Sequence, residues 1–156
     1  DEGIGVHVIE RLAAEYELPE EVQVLDGGTL GMDLLYYLEG IDNLIIVDAA
    51  ETGKEPGTII RLVDDEVPVF MSIKISPHQI GVPDMLSAAK LMDLYPKRLV
   101  LWGIQPELIT LSLDLSPTLA SKRDILAENL ANELRGWGYS MQPKSRNCLI
   151  WNAAVQ

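Results

Sequence analysis

Three residues in this 156-residue sequence stand where strand ends and loops could supply metal or acid–base chemistry. Asp48 closes the apolar run Leu44-Ile45-Ile46-Val47, His78 lies in Ser76-Pro77-His78-Gln79 ahead of a helix, and Glu2 precedes the first helix. Two carboxylates and an imidazole suit a divalent transition metal, and three protein ligands leave positions open for water or substrate. Each residue also has a plainer reading. Asp48 could be a turn or cap acid, His78 a loop histidine bonded to backbone, and Glu2 a carboxylate favouring the positive end of a helix. Spacing by itself leaves these alternatives open.

Other catalytic arrangements fit less well. The sequence contains no His-Glu-x-x-His pair, no Gly-x-Ser-x-Gly elbow, no Gly-x-x-x-x-Gly-Lys-Ser/Thr loop and no Gly-x-Gly-x-x-Gly after a strand. Cys148 has apolar neighbours and reads as a buried or inert thiol rather than a nucleophile. His7 falls beside Val6 and Val8 in the first helix, where a structural role is the better reading.

The elements that must position these groups follow from hydrophobic spacing. Ile4, Val8, Leu12 and Tyr16 recur every four residues, widened by Ile9 and Ala13, and predict a helix that Pro19 ends. Val22 to Leu25 reads as a short strand halted at Asp26-Gly27-Gly28-Thr29, and Met32 to Leu38 as a short helix stopped by Gly40. Asn43 to Asp48 has the continuous apolar run of a strand covered on both faces. After the polar loop Ala49 to Gly57, Thr58 to Val63 resumes strand character. Val67 to Ile75, with Pro68, reads as an irregular or edge segment.

A helix with Pro83 near its first turn follows, its buried face supplied by Met85, Ala88, Ala89 and Met92. Arg98 to Ile104 is another strand covered on both faces. Ser116 and Pro117 start the last helix, whose stripe runs Leu119, Ile125, Leu126, Leu130 and Leu134 before Gly136 closes it. From about residue 137 the tail either adds an edge strand around Cys148-Leu149-Ile150-Trp151 or lies on the surface.

Helices alternating with buried strands make this an α/β fold: a three-layer α/β/α sandwich with a mostly parallel, twisted central sheet. Residues 1–156 are expected to form one domain, a length at which about 70% of the unfolded surface is buried. In such sheets the ligand crevice lies beyond the carboxyl ends of the strands, which is where Asp48 falls and where the His78 loop belongs.

With 24 Asp and Glu against 12 Lys and Arg, the formal charge is −12 and no basic run is present. Nucleic acid is therefore not an expected partner, because phosphate-backbone binding needs clustered Lys and Arg. The longest apolar runs are strand-sized, so no membrane partner is expected either. A lone cysteine fits a reducing compartment, and no positively charged segment followed by an apolar core opens the chain, so a cytoplasmic protein is expected. With no interface stripe in evidence, the expected state is a monomer.

Five blocks, in order, resemble the hydrogenase maturation protease family, the endopeptidases that finish the large subunit of [NiFe]-hydrogenases. They are Asp1-Glu2-Gly3-Ile4-Gly5-Val6-His7-Val8, Asp26-Gly27-Gly28-Thr29-Leu30-Gly31, Leu44-Ile45-Ile46-Val47-Asp48-Ala49, Ser76-Pro77-His78-Gln79 and Gly103-Ile104-Gln105-Pro106-Glu107. The likeness runs to about the end of the last helix. That family normally opens with a hydrophobic strand and a Gly-Asn-x-Leu-type turn before the Asp-Glu-Gly block. The expectation is thus a sheet whose first strand is missing from this sequence and either lies ahead of Asp1 or is contributed in some other way, since its loss would cost many ladder bonds and much apolar burial.

The resemblance implies a metal-sensing site of Glu2, Asp48 and His78, the trio that strand-end reasoning also selects. It places Asp26, Gly27, Gly28 and Thr29 near the substrate. The implied reaction is removal of a C-terminal extension from a large-subunit precursor once nickel is inserted. The nickel is carried by that substrate, and no permanently bound cofactor is expected. Two mechanisms stay open: a metal that polarises the peptide carbonyl or activates water, and Asp48 acting as a base. Two further readings are a non-catalytic, chaperone-like module that docks on a metalloprotein, and a peptidase of the same fold with another substrate.

Overall fold

Side chains four apart turn the first segment into α1 (Ile4–Glu15), which buries Ile4, Val8 and Leu12. Each such side chain contributes roughly 1.5–3 kcal/mol on leaving water. The computed structural model describes residues 1–28, 30–72, 81–109 and 114–145. After α1 come β1 (Tyr16–Glu17), a 3₁₀ turn (Gly31–Leu34) that runs into α2 (Leu35–Leu38), β2 (Asn43–Ala49) and β3 (Ile59–Val63). Then follow α3 (Glu66–Ser72), α4 (Val82–Leu91), β4 (Arg98–Ile104), α5 (Pro117–Gly136) and β5 (Gln142–Pro143).

The main sheet has the order β2-β4-β3. β2 and β4 are parallel, in the register Asn43 with Arg98 through Ala49 with Ile104, whereas β3 runs antiparallel to β4. The sheet is thus mixed, and β4 is its centre. A short second sheet pairs Tyr16 with Pro143 and Glu17 with Gln142, so the start of the tail folds back along the end of α1.

Strand periodicity sorts side chains onto two faces. Ile45, Val47, Ala49, Ile59, Trp102 and Ile104 pack with α1 and α5. Leu44, Ile46, Leu62, Leu99 and Leu101 pack with α2, α3 and α4. Helices therefore lie on both sides of the sheet, as the alternation of elements predicts. α5 begins where expected: the Ser116 hydroxyl accepts a hydrogen bond from Leu119 N at 3.3 Å, and Pro117 occupies the first turn.

Four expectations need correction. Val67 to Ile75 is not an edge segment as far as Ser72: it forms α3, with Val67 fully buried. Pro68 lies in the first turn, where its missing N–H has no intrahelical acceptor to lose, so it starts the helix rather than breaking it. Val22 to Leu25 is irregular, with Val24 and Leu25 exposed, because among the described residues it has no strand to pair with. Met92, expected inside, is 58% exposed beyond the end of α4, and Leu86 is buried instead. Ile125 points outward from α5, while Leu119, Leu126, Leu130 and Leu134 are buried. The Cys148 to Trp151 segment lies outside the described residues.

Candidate active site at the carboxyl end of the sheet

Because β2 and β4 are parallel, their carboxyl ends meet at one edge, with Asp48 beside Gly103. Alternation along β2 puts Asp48 on the same face as Leu44 and Ile46, the face covered by α3 and α4. The first turn of α1 presses on the strand from the other side. A Cβ added at Gly5 would run into the Val47 carbonyl oxygen, so a residue with no side chain is what allows helix and strand to close.

That contact brings Glu2 to Asp48. Burial pushes the Asp48 carboxyl up from the usual 3.8 to about 6, the Ala49 backbone hydrogen bond opposes the rise, and the negative charge of Glu2 adds to it. The opposing hydrogen bond runs from Ala49 N to Asp48 Oδ1 at 2.8 Å. Asp48 is exposed as a residue, so solvent tempers the shift without changing its direction. An Asp48 carboxyl raised to about 6 at a strand end, with the Glu2 charge close enough to act on it, makes a candidate site for a cation or for proton transfer.

Two supports hold the edge together. Asp1 is 1% exposed, and its carboxylate accepts from Glu107 N at 3.0 Å, Leu108 N at 2.8 Å and Ser116 N at 2.6 Å. It ties the start of α1 to both ends of the β4–α5 connection. On the other flank, the Gln105 side-chain oxygen accepts from Thr52 N at 2.6 Å, Thr52 Oγ1 at 2.9 Å and Gly53 N at 3.0 Å. This pins the loop that leaves Asp48 to the end of β4. At Gly103 an added Cβ would lie 2.7 Å from the Ala50 Cβ and 3.0 Å from the Ile60 Cγ1, so the chain crosses over β4 only because that position is bare. The Asp-Glu-Gly and Gly-Ile-Gln-Pro-Glu blocks carry these supports, but sequence reasoning assigned Asp1, Gly5, Gly103 and Gln105 no role.

Of the residues singled out from sequence, Glu2 and Asp48 are thus brought together. His78 lies outside the described residues, in the 73–80 connection between α3 and α4. Asp26, Gly27 and Gly28 form an exposed turn in which Asp26 Oδ1 accepts from Gly28 N at 3.0 Å and Gly28 takes a φ of 27°. Those bonds are internal to the turn, and Thr29 lies outside the described residues. Among the described residues no group of three or more His, Cys, Asp or Glu is placed to hold a metal ion. A surface depression of about 420 Å³ beside Arg61, Trp102 and Glu133 lies on the α5 face, lined by none of the predicted site residues. Its charges are already paired, Arg61 Nε and Nη2 each donating to Glu133 at 2.7 Å.

A model of the hydrogenase maturation protease family matches residues 6–133. The chain belongs to that family. As a hydrogenase maturation protease it is 42% identical over 145 residues to the Hydrogenase 2 maturation protease of Escherichia coli, covering 92% of this chain and 88% of the relative. It is 44% identical over 140 residues to the Rhodobacter capsulatus hydrogenase expression/formation protein HupD, covering 88% and 67%. Its fold matches the hydrogenase maturating endopeptidase HybD of E. coli with a TM-score of 0.85, at 41% identity over 92% of this chain and 89% of that one. A [NiFe] hydrogenase maturation protease HycI from Thermococcus kodakarensis matches with a TM-score of 0.68 at 26% identity. Among the described residues no helix of this protease is long and apolar enough to cross a membrane.

Proposed function

We propose that this protease removes the C-terminal extension of a [NiFe]-hydrogenase large-subunit precursor after nickel insertion, and that Glu2, Asp48 and His78 read the nickel. The observation that carries the proposal is the convergence of Glu2 and Asp48, residues 46 positions apart, at the carboxyl end of β2. Carboxylates and an imidazole suit Ni(II), which in this reading arrives as part of the substrate. An ion shared between enzyme and precursor would hold the tail of the precursor against the site, turning cleavage into a reaction of oriented partners.

The chain's own groups supply the rest. Ionised Glu2 and Asp48 offer oxygens to the cation, whose charge also relieves their mutual repulsion. With its pKa near 6, Asp48 is ionised at neutral pH and able to hold a proton for part of the cycle, as a general base for water requires. His78 is the third donor in this reading, and the exposed Asp26–Gly28 turn, with Thr29, is a contact for the precursor.

Cleavage of nickel-loaded and nickel-free precursor tests the proposal. The expected result is shortening of the loaded form alone, lost in His78→Ala. Equal cutting of both forms, or cutting indifferent to His78→Ala, overturns the nickel-reading site. Tight binding of the loaded precursor without shortening would point to the chaperone-like alternative.

A further inference from the structure

We propose that Asp1 and Gln105 are positioning residues for the acid pair, and that through them the segment 105–108 sets where Glu2 stands relative to Asp48. The proposal rests on the nickel-reading role of that pair and adds to it the residues that hold its spacing.

Glu2 and Asp48 are both exposed as residues, so the backbones that carry them decide where their carboxyls stand. The Asp48 carboxyl is oriented by the Ala49 N–H, the first amide of the loop that leaves β2, and it moves with that loop. The loop is fastened twice. Ala50 N donates to the Ile104 carbonyl at 2.8 Å, and Thr52 N, Thr52 Oγ1 and Gly53 N all donate to the Gln105 side-chain oxygen. Gln105 is itself held by its backbone, its N–H donating to the Thr58 carbonyl at 2.9 Å and its carbonyl accepting from Gly57 N at 2.8 Å.

The Glu2 arm ends on the same segment. Glu2 lies one turn ahead of Gly5, where an added Cβ would be 3.9 Å from the Asp48 Cα, so the far side of that turn is set against β2. Asp1 sets the near side. Its carbonyl accepts from Ile4 N at 3.1 Å, and its buried carboxylate takes the amide protons of Glu107, Leu108 and Ser116. Hydrogen bonds to an ionised acceptor are among the stronger ones. Only Pro106, with its fixed φ, separates Gln105 from Glu107. Two arms from distant parts of the chain thus hang from neighbouring residues of a third element. Donors that share one cation must be held to about 0.5 Å, and a common anchor provides that.

Steady-state cleavage of nickel-loaded precursor, with nickel-free precursor as competitor, tests this in Asp1→Asn and Gln105→Met. Asparagine offers the three amides one acceptor oxygen and turns an NH₂ group towards the rest. Methionine keeps the length of Gln105 and removes its acceptor. Each variant is expected to lower kcat/KM for loaded precursor about tenfold, the scale of one contact to a charged group lost. The inhibition constant of nickel-free precursor should stay within about twofold of the parent, whereas a purely structural role would move both constants together. Thermal melts show which variants are folded at the assay temperature. Gln105→Met, at a partly exposed position, carries the test by itself if Asp1→Asn does not fold. An unchanged kcat/KM in a folded variant, or equal changes in the two constants, overturns the positioning role, and leaves the nickel reading standing where Glu2→Gln abolishes cutting. A parent enzyme that cuts loaded and nickel-free precursor equally overturns both.

Discussion

Replacing Asp48 by Asn is expected to stabilise the fold at neutral pH while removing the proposed activity. Moving a carboxyl from 3.8 to about 6 corresponds to about 3 kcal/mol in favour of its neutral form if nothing screens it. Asp48 keeps solvent contact, and screening at such positions reduces the effect to about 1 kcal/mol. The sign follows from linkage. The folded state holds this proton more tightly than the unfolded one, so between pH 3.8 and about 6 rising pH costs the folded state stability, and above about 6 the full cost is present. Asparagine carries no charge, and its Oδ1 can still accept from Ala49 N. The variant should therefore melt about 2–4 °C above the parent at pH 7, and the two should converge near pH 4. Thermal melts at both pH values check this. A variant less stable than the parent at pH 7, or a difference that does not change with pH, would refute the claim that the Asp48 carboxylate is held against its preference.

Further outcomes follow from the contacts at and around the site. Gly5→Ala should push α1 away from the Val47 carbonyl, weaken cleavage of the precursor and lower the apparent pKa of Asp48 as Glu2 withdraws, read from the carboxyl titration by NMR. Gly103→Ala should cost about 1–3 kcal/mol in urea unfolding, since the added methyl meets the Ala50 Cβ and the Ile60 side chain in a packed edge. Arg61→Ala should cost about 1–2 kcal/mol at pH 7 by leaving Glu133 without its two-pronged partner. The Arg61 hydrogen bond holds the Glu133 carboxyl below its ordinary range, so this pair stabilises the fold at neutral pH. The contribution fades as pH falls below 4.5 through the lowered value, and parent and variant melting temperatures should converge in acid.

The comparison between sequence and structure divides along the range of the interactions. Repeats of four residues in α1 and α5, and the unbroken apolar runs of β2 and β4, announce elements whose faces are both set within a short window. The same windows place Asp48 at a strand end and put Glu2 at the head of a helix. α3 is not legible in such a window because Pro68 argues against a regular strand, whereas in a helix its effect depends on whether it falls in the first turn. Val22 to Leu25 erred the other way. Its residues favour a strand, but a strand forms only against a partner, and none lies beside it among the described residues.

The amino-acid order alone thus determined the helices α1, α4 and α5, the strands β2, β3 and β4, the acidic character of the chain and the candidate residues. Tertiary structure decided that β4 lies between β2 and an antiparallel β3, that burial at the strand end, with a smaller push from Glu2, raises the Asp48 carboxyl, and that Asp1 spans more than a hundred residues to hold the Glu107–Leu108 amides. The physical reason is that these arrangements depend on how closely two backbones can approach. At Gly5 and Gly103 that approach is permitted by a side chain that is not there, and no window of neighbouring residues shows which distant carbonyl or Cβ will fill the space.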